Sequence, residues 1–116
     1  MHPYPSTLIL VVGDTLEDSR VKMGKLTKGR EPSQDVLSLA GAACCERIDP
    51  KTGAQDIYLL FPRRTKASII AHECVHAVNF VYAAKGVQWD FVNDEPHAYF
   101  LGLLVGTVTE FIRNAR

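Results

Sequence analysis

After Pro62 the hydrophobic period of this chain changes, and that change constrains its fold more than any other feature. Before it, apolar residues come in short aliphatic and β-branched runs; after it they recur at spacings of three and four. Ile70, Cys74, Ala77, Val78, Val81 and Ala84 share one face of a helix, which the spacing predicts over about residues 66–85. Gly86 is placed to stop it. A connector, residues 87–93, leads to Asp94-Glu95-Pro96, whose acidic pair and early proline open a second helix that runs to about Arg113. That helix is apolar nearly all round through Val108, as a core element is.

The runs before Pro62 supply what these helices need to bury themselves against. Thr7–Val12 reads as a buried strand that ends at Gly13-Asp14. Residues 42–48 and Ile57–Phe61 flank the turn cluster Asp49-Pro50-Lys51-Thr52-Gly53, which predicts a β-hairpin. The polar stretch between the first strand and the hairpin predicts short helices near Leu16–Lys25 and Ser33–Leu39. No repeat or linker interrupts the 116 residues, so one domain, residues 1–116, is expected. Its class is α+β: a small, mostly antiparallel sheet packed on two long helices.

Composition narrows the function classes. Lys plus Arg number 13 and Asp plus Glu number 13, giving no net charge. That balance argues against a nucleic-acid partner held by bulk electrostatics and against a polybasic membrane arm. The longest strictly apolar runs, such as Leu8–Val12, are far below the ~18 residues of a membrane span. The N-terminus carries no secretory pattern, and three cysteines, two of them adjacent, make no disulfide framework. A cytoplasmic protein with no membrane partner is expected.

The stretch that carries chemistry is His72-Glu73-Cys74-Val75-His76. Side chains four apart on a helix lie one turn apart on one face, so two imidazoles can reach one metal ion. Glu73 is offset by about 100° from His72 and about 60° from His76, beside the metal and able to move a proton to and from water. A catalytic zinc site takes a third protein ligand and keeps an open position. Glu95, separated from His76 by eighteen residues and placed at the start of the second helix, can be brought back beside the histidines by the connector. Ala98, Tyr99, Gly102, Val105 and Gly106 share its helical face. The small residues among them suggest a close approach to another element that would carry Glu95 to the metal. Tyr99, about 40° from Glu95, can stabilise an oxyanion or orient Glu95, and equally can be a packed aromatic. His97 points away from Glu95 and reads as a packed or exposed side chain, and Asp94 as a helix cap. Cys74 sits opposite His72 as a small core residue, and Arg63-Arg64 reads as a solvated turn that can otherwise bind an acidic group.

H-E-x-x-H, eighteen residues, then Glu95-Pro96-His97-Ala98 resembles the gluzincin branch of zinc metallopeptidases over His72 to Tyr99. The chain also resembles, more loosely, compact zincin-like proteins of bacteriophage and prophage origin. The resemblance implies a minimal zincin-like domain, zinc as cofactor, His72, His76 and Glu95 as ligands, and Glu73 as general base. It implies a protein or peptide substrate cleaved by zinc-activated water, in the bacterial host cytoplasm if the chain is phage-encoded. The chain has no counterpart of the C-terminal domain that builds substrate pockets in the large enzymes, so the particular substrate and its cleavage specificity are not carried over. The strand Ile57–Phe61 is a candidate edge for an extended peptide. The competing expectation is a non-catalytic binding module with a structural metal or none, for which a fourth ligand such as Asp94 or His97 would be the mark.

Overall fold

The structure, a computed structural model, describes residues 6–29, 41–88 and 90–115, and the backbone of residues 34–37. Within them the order is β1 (Ser6–Gly13), α1 (Leu16–Thr27), β2 (Gln34–Leu37), β3 (Ala43–Ile48), β4 (Gln55–Pro62), α2 (Ala67–Ala84) and α3 (Glu95–Asn114). The α+β class holds. One detail of the expected architecture does not: the sheet is mixed rather than mostly antiparallel, while the short helix expected near Leu16–Lys25 is α1.

The strands lie in the order β1-β4-β3-β2. The predicted hairpin is β3–β4, antiparallel with Cys44 opposite Leu59. It closes through Gly53 N–H to Asp49 O (2.7 Å) and Asp49 N–H to Ala54 O (2.9 Å). β1 joins β4 in parallel, Ser6 opposite Gln55 through Gly13 opposite Pro62. This parallel pair makes the sheet mixed, and it places the expected peptide-binding strand Ile57–Phe61 inside the sheet. The strand has neighbours on both sides and is buried on both faces, so no edge is free there. The helix expected at Ser33–Leu39 is replaced over Gln34–Leu37 by β2, which pairs antiparallel with β3, Val36 opposite Cys44. Pairing with an available strand overrides a weak local helix preference. The other residues of that expected helix lie outside the described ones.

Alternation along the strands sends two sets of side chains to opposite faces. Ile57, Leu59, Phe61, Cys44 and Val12 face α2 and α3, meeting Ile70, Cys74, Ala77, Val78, Leu104, Val108 and Ile112. Tyr58, Leu60, Cys45, Ala43 and Val11 face α1, where Met23 and Leu16 pack. The Cys44–Cys45 pair is thus buried, one thiol on each face of the sheet. Burying one large apolar side chain such as Phe61 contributes about 1.5–3 kcal/mol, so these two layers hold the three-layer stack together.

Local signals place the helices. Thr15 caps α1 by accepting from the Asp18 N–H at 3.2 Å, with Glu17 and Asp18 in the favourable first turn. Gly13 is required there, because a Cβ on it would lie 2.7 Å from the Asp18 Cβ and the Ser19 nitrogen. α2 ends at the expected glycine, Gly86, at φ +70°. A buried side chain then fixes how α2 sits on the sheet. The Gln55 amide donates to Glu46 Oε2 (2.6 Å) and to the Phe80 carbonyl (2.8 Å), while its Oε1 accepts from Ser6 Oγ (2.6 Å). No helix among the described residues is long and apolar enough to cross a membrane.

Candidate metal centre

The middle of α2 presents two flanks. Counting 100° per residue, His76 lies about 40° and Glu73 about 100° to one side of His72, whereas Tyr82 lies about 80° to the other. The Tyr82 flank carries α3. The Tyr82 ring stacks on His97 with centroids 3.9 Å apart, meets Phe100 edge-on at 6.0 Å, and its hydroxyl donates to the Pro96 carbonyl at 3.3 Å. The Glu73 flank faces the hairpin, close enough for its carboxylate to raise the pKa of the Cys44 thiol on β3.

His72 and His76 come together as the motif requires. Their Nε2 atoms are 3.2 Å apart and the rings stand at 75°. Two nitrogens bound to one tetrahedral zinc at 2.0–2.1 Å would be about 3.3–3.4 Å apart, so the pair already has the spacing of two ligands on one ion. Glu73 completes a group of three donors whose ligand atoms lie within 4.8 Å of one another, so this His–Glu–His cluster can hold a metal ion.

The electrostatics mark Glu73 as the unusual member. It is fully buried, and neither carboxylate oxygen has a hydrogen-bond partner. Burial pushes its carboxyl above the usual carboxylate range, with the His72 charge opposing. Burial also depresses His76, and repulsion from His72 adds to it. A neutral imidazole is the form that binds metal, so the depression favours ligation. The neighbouring thiols are inert: burial, then Glu73, pushes Cys74 up to about 12 and moves Cys44 in the same direction.

Glu95 and Tyr99 are not brought to this cluster. Both are exposed on α3, which packs on the opposite flank of α2 from Glu73. The close approach expected of Ala98, Gly102 and Gly106 is absent: that face points outward, and a Cβ on Gly102 or Gly106 would meet nothing within 4 Å. The buried stripe is instead His97, Leu104, Val108 and Ile112, on the side of α3 away from Glu95. Large side chains bury more apolar area than a glycine row, and they decide which face turns inward. His97 is a packed histidine, as its angle from Glu95 indicates. Asp94 is the N-cap residue of α3 without making a side-chain capping bond. Cys74 is a buried core residue, and Arg63 pairs with Asp14 at 3.1 Å. The proximity of Cys44 to Glu73 carried no sequence signal, since it depends on strand pairing.

A cluster of two imidazoles at ligand spacing beside a desolvated carboxylate can bind a divalent cation and exchange a proton next to it. No known protein family, no curated protein and no solved structure matches the chain.

Proposed function

We propose that the chain is a zinc-dependent hydrolase that cleaves peptide bonds. The observation that carries the reading is the 3.2 Å spacing of the His72 and His76 Nε2 atoms beside the buried, unpartnered carboxylate of Glu73. A borderline divalent ion held by imidazole donors fits zinc by ligand type. When bound, it would supply Lewis acidity toward a carbonyl and acidify a water. His72 and His76 hold and orient. Glu73 takes a proton from the attacking water and returns it to the leaving amine, a task for which a raised carboxyl pKa is suited. Glu73 faces the β3 side of α2, so an extended peptide would lie toward β2, the edge strand there, rather than along β4.

Zinc content and peptidase activity of wild type, His76→Ala and Glu73→Gln test this together. The expected pattern is one zinc per chain, lost in His76→Ala, and kept in Glu73→Gln with hydrolysis abolished. Turnover retained by Glu73→Gln removes Glu73 as the base. Zinc lost from that variant makes it a ligand instead.

A second reading has one observation in its favour. Glu95 lies on the wrong flank of α2, so the pair lacks the downstream carboxylate of the gluzincin pattern. A non-catalytic binding module with a metal on α2 would look the same. It would retain zinc and show no hydrolysis in the wild type.

A further inference from the structure

We propose that the free edge of β1 is a docking groove for an extended, aliphatic peptide segment of another protein that carries a flanking carboxylate. Among the described residues, β1 is the edge strand at the end of the sheet remote from β2, and it pairs with β4 alone. An unpaired strand edge is a template for one more strand unless something covers it. Here a cavity of about 510 Å³ runs beside Leu10, Val11 and Val12, between α1 and α3. Leu26 of α1 and Phe111 of α3 line it and remain 59% and 43% exposed. Each helix thus offers an apolar side chain to the space that a fifth strand, about 4.8 Å beyond β1, would fill.

The walls define the occupant. A strand seated there would have α1 on one face and α3 on the other. Its side chains on both faces would be covered, which selects a continuous aliphatic and β-branched run rather than an alternating one. The charged lining residues are Lys22 and Lys25, both from α1. The Lys22 ammonium already donates to the Val12 carbonyl at 2.8 Å, so one cation is held at the strand edge itself. A second copy of this chain, paired β1 to β1, would bring two more lysines into a groove whose lining, among the described residues, holds no carboxylate. A peptide with Asp or Glu beside its aliphatic run answers that charge instead. The groove shares no lining residue with the His72–Glu73–His76 cluster, and this inference stands whether or not the metal centre is catalytic.

The test uses the full chain and a displayed library of random ten-residue peptides. Selection should enrich runs of four or five aliphatic or β-branched residues flanked by Asp or Glu. A synthetic peptide of an enriched sequence should shift the amide resonances of Leu8–Val12. Leu26→Asp changes an exposed side chain and should weaken binding at least about tenfold, or 1.4 kcal/mol. The double variant Lys22→Glu, Lys25→Glu should reverse the preference toward the same peptide with lysine in place of its acid. No enrichment, or enriched peptides indifferent to these variants, would overturn the assignment. So would a dimer in sedimentation that Leu26→Asp dissociates, which would make a second copy the occupant.

Discussion

Glu73 is held where a carboxylate costs free energy. Desolvation favours its protonated form, so the folded chain keeps that proton to higher pH than the unfolded chain, whose carboxyl titrates near 4.5. The stability this group contributes is complete below that pH and is lost as pH rises through the higher folded value. His76 runs the other way. Its pKa is depressed from 6.5, so its contribution is present above 6.5 and is lost as pH falls through the lower folded value. In metal-free protein, Glu73→Gln should therefore match wild type near pH 4 and gain an advantage in Tm of a few degrees by pH 8. Thermal unfolding in chelator across that range measures it. A difference that stays constant with pH would show that Glu73 is not desolvated in the folded state. The motif itself was legible in the sequence because its geometry is set by one helix. The burial of Glu73 was not, because it depends on the tertiary packing around α2 rather than on the helix alone.

At the scale of elements, α3 shows where a sequence pattern divides against itself. Its start, its length and its apolar character were all readable from Pro96, the spacing and the near-continuous hydrophobicity. A helix apolar nearly all round does not declare which side faces the sheet. The small residues at 98, 102 and 106 suggested one face, and the Leu104, Val108 and Ile112 stripe took the other. The outward placement makes a direct prediction. Glycine within an exposed helix interior costs about 1 kcal/mol relative to alanine, and a methyl at Gly102 or Gly106 would meet nothing within 4 Å beyond the adjoining backbone of its own helix. Gly102→Ala and Gly106→Ala should each stabilise the chain by up to about 1 kcal/mol, seen as a rise of a few degrees in Tm. A fall in Tm would place that face against another element, as the close-approach expectation required. β2 is the opposite case: its polar, breaker-flanked sequence carried little local preference, and β3 supplied the strand partner that fixed it.

Across the whole molecule, the sheet order separates the chemistry from the packing of α3. α2 lies over β4 and β3, its Glu73 flank toward β3 and its Tyr82 flank under α3, which reaches across toward β1. The His–Glu–His cluster therefore draws all its donors from one helix, and nothing on α3 is needed to form it. A ligand that binds only the folded state stabilises it by mass action, by about 2.7 kcal/mol at a free concentration one hundred times its Kd. Added zinc should thus raise the Tm of wild type by several degrees, and His76→Ala should abolish the rise. Glu95→Ala and Tyr99→Phe should preserve it in full, because both side chains stand exposed on the far flank of α2. This outcome separates the two ways of assembling the site. Loss of the shift in Glu95→Ala would require α3 to leave the Tyr82 flank and bring its first turn round to His72, breaking the Tyr82–His97 stack. In that case Tyr82→Ala should strengthen zinc binding, whereas a cluster confined to α2 leaves affinity indifferent to Tyr82.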